Sequence, residues 1–106
     1  MQATPREIGR NEFDDWCWRR GLDLRGVAAG LRATAERLER TDGAPRRVPS
    51  VETIRRVRLP FSHADRRVPA TEMMELIKAF TGGEITPAHF YPPHIRGDAR
   101  LAEVQP

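Results

Sequence analysis

The residues in this chain best suited to chemistry are arginines, and a dense set lies in residues 50–58, SVETIRRVR. A guanidinium is planar and permanently charged. It can pair bidentately with a phosphate or with the O6 and N7 edge of guanine. In this stretch the guanidinium groups belong to Arg55, Arg56 and Arg58, and Glu52 stands three residues before Arg55. Ile54 and Val57 are also three apart, so both can face a core from one edge of a helix. Ser50 is a good N-cap, because its hydroxyl can accept from the first-turn N–H groups. A short helix that hides one edge and shows arginine on the other suits the major groove of DNA.

Other reactive residue types do not gather. His63, His89 and His94 are scattered, and there is a single cysteine, Cys17. A zinc site wants about four ligands at suitable spacing. Asp14 and Asp15 are adjacent, so on a helix they diverge and make a poor acid/base pair. Gly82 and Gly83 follow an expected helix rather than opening one, which is the wrong order for a phosphate cradle. Cys17, set between Trp16 and Trp18, reads as a small core or boundary residue rather than a nucleophile. His89, beside Phe90 and Tyr91, reads as a half-buried or capping residue. The expectation is no catalytic residue, no metal and no cofactor.

Composition agrees with a nucleic-acid partner. Of 18 basic residues one is lysine, Lys78, and the formal net charge is +3. The distribution is lopsided: residues 40–67 hold eight arginines against Asp42, Glu52 and Asp65. That segment carries +5 and the rest of the chain −2. Concentrated positive charge on a nearly balanced protein implies directed attraction to a polyanion. The alternative is a solvated charged face in an arginine-rich composition, and charge alone does not separate the two. A chain of 106 residues is expected to form one domain with one modest core. No run of apolar residues is long enough to span a membrane. The N-terminus lacks a signal-peptide core, and the lone cysteine fits a reducing cytoplasm, so a cytoplasmic, nucleoid-associated location is expected.

The elements that must position these residues read as helices. Residues 1–10 are an expected flexible lead-in, residues 11–95 the domain, and residues 96–106 a flexible tail. Asn11 can cap a helix through Arg20, with Phe13, Trp16 and Cys17 on its apolar edge and Gly21 as its stop. Trp18 points elsewhere. Asp23 caps a second helix in which Leu24, Val27, Ala28, Leu31, Ala35 and Leu38 recur at helical spacing. This helix either runs to about Arg40 or breaks near Gly30 or Arg32, with Thr34 capping a second piece. Residues 41–49 (TDGAPRRVP) read as turn and linker. Residues 59–68 read as a loop, with Phe61 and Val68 tucked in at its ends. Residues 69–80 give the clearest helix, with Met73, Met74, Leu76, Ile77 and Phe80 as a broad apolar face and Gly82 as C-cap. Thr86 and Pro87 begin a last short turn to about Tyr91.

Three of these segments bear a resemblance. Residues 22–31 (LDLRGVAAGL) resemble the first motif helix of the lambda-repressor/Cro-type helix-turn-helix family. A capping polar residue is followed there by an aliphatic–alanine pair and an aliphatic residue three positions on: here Asp23, Val27, Ala28 and Leu31. Residues 50–57 (SVETIRRV) resemble that family's recognition helix. The ending AFTGGEITPAHFYP is similar to the closing helix and tail of bacterial and prophage members. The resemblance covers residues 13–92. It departs in one place: eighteen residues, 32–49, separate the two motif helices, where the family uses about three or four. The first motif helix is therefore extended, or an extra helix with a basic loop is inserted.

The resemblance implies an all-α, compact five-helix domain that binds double-stranded DNA as a transcription regulator, a repressor by expectation, and as a homodimer on a two-fold site. Val51, Glu52 and Arg55 match base-facing positions. Ser50, Thr53, Arg56, Arg58, Arg46, Arg47 and Arg25 are expected backbone contacts, which set register without reading sequence. For Arg66 and Arg67 no role is assigned. Candidate dimer surfaces are the exposed part of residues 32–40, Trp18, and residues 90–95, and contact with RNA polymerase or another regulator is a further expectation. Two other functions compete. One is an antitoxin-like adaptor that grips a partner with the amphipathic segment 24–38. The other is a sequence-independent, nucleoid-type binder driven by phosphate contacts alone.

Overall fold

The structure, a computed structural model, describes residues 11–91. The expected lead-in and tail, and residues 92–95 of the domain, lie outside the described residues. Four α-helices and one 3₁₀ turn follow in order: α1 (Glu12–Arg19), α2 (Leu24–Asp42), α3 (Val51–Val57), α4 (Thr71–Phe80) and the turn Pro87–Phe90. Among the described residues there is no strand. Among the described residues, the five expected helices are four α-helices and a 3₁₀ turn. No helix among the described residues is long and apolar enough to cross a membrane.

The helix starts follow from local chemistry. The Asn11 side chain accepts from the N–H groups of Phe13 and Asp14, and Asp23 accepts from Gly26 N–H at 2.7 Å. Gly21 takes φ 68°, in the left-handed region that glycine enters without a Cβ clash, and this ends α1. Gly82 takes φ 65° one residue past the C-cap Thr81 and turns the chain out of α4.

The second helix is unbroken over 19 residues, so the break near Gly30 does not occur. Gly30 has a different task. A Cβ there would lie 2.2 Å from the ring of Phe80, so the glycine is a notch through which α4 reaches α2. Phe80 is held on its other side by Trp16, edge to face at 5.3 Å. Thr34 is no cap; it is buried mid-helix and its hydroxyl donates to the Gly30 carbonyl at 2.8 Å. The helix also runs past Arg40 and takes in Thr41 and Asp42, which the sequence assigns to a linker. It stops only where Gly43 enters the left-handed region at φ 73°.

The core joins Phe13, Trp16 and Cys17 of α1 to Val27, Leu31 and Ala35 of α2, Ile54 and Val57 of α3, and Met73, Leu76 and Ile77 of α4. Ile85 and Phe90 close it from the C-terminal side, with the Phe90 ring 6.0 Å from that of Phe13. Trp16 donates through Nε1 to Glu84 at 2.8 Å, and Arg20 lies on the Trp16 ring while sharing the same carboxylate. Val68, expected to tuck in, is 37% exposed instead. Burial of Cys17 pushes its thiol up to about 11, as a core residue and not a nucleophile requires. His89 accepts at Nδ1 from Thr86 N–H at 2.9 Å and turns Nε2 toward Glu12 at 3.2 Å, which is a capping and bridging role.

Candidate nucleic-acid interface

The third helix is short and amphipathic, and its surroundings hold it at both ends. At its start the Ser50 hydroxyl accepts from Thr53 N–H at 3.2 Å. Ile54 and Val57 are fully buried, which fixes the rotation of the helix on the core. At its end, Asn11 donates through Nδ2 to the carbonyls of Val57 at 2.6 Å and Leu59 at 3.0 Å. One buried asparagine therefore caps the start of α1 and the end of α3 together. The ridge left facing out consists of Val51, Glu52, Arg55 and Arg56, with Val51 46% exposed.

That ridge is organised by Glu52. Its carboxylate accepts from Arg55 Nη2 at 2.6 Å, Arg55 Nε at 3.1 Å and Arg56 Nε at 3.1 Å. The Arg55 and Arg56 hydrogen bonds hold the Glu52 carboxyl down at about 2. The same contact raises the Arg55 pKa. With two guanidinium groups against one carboxylate, the ridge bears a net positive charge.

Two arginines expected at the DNA backbone are engaged by carboxylates within the fold. Arg58 donates through Nε to Asp14 at 2.9 Å, and its side chain is only 13% exposed. Asp14 lies in the first turn of α1, so Arg58 ties α3 to α1 rather than reaching outward. Arg46 folds back on Asp42, with Nη1 at 2.6 Å and Nη2 at 2.5 Å, and also reaches the Ala44 carbonyl at 2.8 Å. This pair and the Ala44 N–H hold the Asp42 carboxyl well below the usual carboxylate range. Arg46 thereby closes the end of α2. Arg66, which the sequence leaves unassigned, stacks on the Phe61 ring and donates to the Phe90 carbonyl. Its burial lowers its pKa.

The remaining expected contacts stay outward. Arg25 is exposed in the first turn of α2, and Arg47 is exposed on the strap of residues 43–50 that leads into α3. The strap is anchored by Arg47 N–H, which donates to Glu72 of α4 at 3.0 Å, and by Val48, which packs on the core. Among the described residues no ion pair engages Arg25, Arg47 or Arg67.

A cleft flanks the ridge on each side. One, of about 320 Å³, is lined by Asp14, Asp23, Leu24, Arg55, Arg58 and the Leu59–Pro60 turn. The other, of about 300 Å³, is lined by Arg47, Ser50, Thr53, Arg67 and Glu72 over a floor that includes Val48 and Met73. Arg67, from the loop after α3, is the residue here to which the sequence gives no role. No group of three or more His, Cys, Asp or Glu residues among those described could hold a metal. His63 is occupied in a turn, its Nδ1 accepting from Asp65 N–H at 3.0 Å. Comparison with protein-family models, with curated proteins and with solved structures finds no match.

Proposed function

We propose that this chain is a sequence-specific binder of double-stranded DNA that regulates transcription in the manner of the lambda-repressor/Cro-type proteins it resembles. The observation that carries this reading is the division of α3. Ile54 and Val57 are fully buried while Glu52, Arg55 and Arg56 form the outer ridge. Arg55 reads guanine through O6 and N7, Glu52 accepts from a cytosine amine or orients Arg55, and Val51 meets a thymine methyl. Arg56 and Arg25 bind phosphates and set register. Binding as a homodimer on a two-fold site belongs to the proposal.

The extended α2 accounts for the long separation between the two resembling helices. Eleven residues of helix follow Leu31 before α2 ends, and the strap then returns the chain to α3. The adaptor reading weakens on the same geometry, because Val27, Leu31 and Ala35, the edge it needs, are packed in the core.

Selection of bound duplexes from a random pool tests the proposal. A recovered motif with two-fold symmetry is the expected result. Retention of DNA without any motif would favour the nucleoid-type reading, and no retention would reject DNA binding.

A further inference from the structure

The arginines around α3 fall into two groups. Arg46, Arg55, Arg56 and Arg58 each meet a carboxylate within the fold. Among the described residues Arg47 and Arg67 meet none; they lie twenty residues apart in the chain and line the same cleft of about 300 Å³. Their backbones are anchored: Arg47 N–H donates to Glu72 at 3.0 Å, and Arg67 N–H donates to the Arg56 carbonyl at 3.2 Å. The main chain of both residues is thus fixed beside one cleft that holds two guanidinium-bearing residues and a single carboxylate, Glu72. Like charges repel, so an arrangement of this kind is relieved by an anion between them.

We propose that Arg47 and Arg67 form a two-armed clamp for a phosphodiester of duplex DNA lying along the strap flank of α3. The inference rests on the reading of α3 as a major-groove helix, since a helix in that groove has a phosphate strand along each flank. The cleft shares Thr53 with α3, and the Thr53 hydroxyl, which accepts from Ser50 at 3.0 Å, keeps its own hydrogen for a phosphate oxygen. Glu72 works against the anion from the same cleft while holding the strap in place. The clamp joins the segment that lengthens this chain between its two resembling helices to the loop that leaves α3. It positions DNA and reads no base.

The test is a set of anisotropy titrations of wild type, Arg47→Ala, Arg67→Ala and Glu72→Gln. Each is run against the selected duplex and a scrambled duplex across a range of salt, with thermal melts to check folding. Both arginine side chains are exposed and lack a carboxylate partner, so the melts should match wild type. Each arginine change should weaken binding to both duplexes by the same factor and flatten the salt slope by about 1. Glu72→Gln keeps an acceptor for Arg47 N–H, removes the opposing charge, and should strengthen binding to both duplexes. If wild type binds and Arg55→Ala abolishes its preference, while the two arginine changes leave affinity and slope untouched, the clamp is wrong and the groove-reading helix stands. If wild type binds no duplex, both fall together.

Discussion

A carboxylate that holds two guanidinium groups acts on affinity and on selectivity in opposite senses. Glu52 lowers the charge that α3 shows to any phosphate, and it also fixes the plane of Arg55 before a base arrives. A preoriented fork loses less freedom on pairing bidentately with guanine than a mobile one does. The residue is thus suited to a reader of sequence more than to a general phosphate binder. Cys17 shows the converse, a reactive type disarmed by its surroundings. Its thiol moves from an ordinary 9.0 to about 11 through burial. A raised thiol value means the native state holds its proton longer. The stability this contributes is complete below pH 9.0 and is lost as pH rises toward about 11. At pH 8 the native thiolate fraction is about a hundredfold below that of the unfolded chain. Iodoacetamide should therefore label Cys17 slowly in native protein and quickly in denaturant, followed by mass spectrometry. Equal rates would place the thiol at the surface.

Two residues decide how the elements meet. Asn11 is 2% exposed and uses both ends of its amide, as an acceptor to α1 and as a donor to the Val57 and Leu59 carbonyls. Asn11→Ala removes a cap and strands buried carbonyls, and should cost about 2–3 kcal/mol in chemical denaturation. Asn11→Asp keeps the acceptor but loses the donors, so it should also destabilise; a wild-type midpoint for Asp would mean the link to α3 carries nothing. Gly30→Ala should lower Tm in a thermal melt, although alanine favours helix by ~1 kcal/mol. The new methyl group meets the Phe80 ring, which Trp16 holds in place, and crowding of this kind costs about 1–3 kcal/mol. A raised Tm would show that the ring gives way freely.

These elements also show how far the sequence can be read. The buried edges of α1, α3 and α4 are legible because a 3.6-residue period assigns a face whatever lies opposite. The caps Asn11, Asp23 and Ser50 are legible because their partners are two or three residues away. Gly30 is ambiguous, since a glycine that weakens a helix and one that makes room for a neighbour look alike in sequence. The second half of the Asn11 amide is not legible, because Val57 is 46 residues distant. Arg58 escapes for the same reason: its partner Asp14 is 44 residues away. Arg46 escapes because Gly43 and Pro45 disguise the last turn of α2, and with it the four-residue spacing from Asp42. Arg67 is invisible in sequence because only the fold brings it beside Arg47.

For the whole molecule, the eight arginines of residues 40–67 overstate what a polyanion meets. Asp42, Glu52 and Asp14 engage four of that region's arginines. What remains outward is the α3 ridge, with Arg47 and Arg67 beside it and Arg40 near the end of α2. Such a surface favours a moderate salt dependence and leaves room for base-directed contacts to dominate preference. A binder driven by phosphates alone would gain from the opposite arrangement, with every arginine free. The most direct test is an anisotropy titration of wild type and Arg55→Ala against the selected duplex and its scrambled control. Wild type should prefer the selected duplex by ~10³-fold or more, and Arg55→Ala should lose most of that preference while its scrambled-duplex affinity changes little. Equal affinity of wild type for both duplexes would contradict the account.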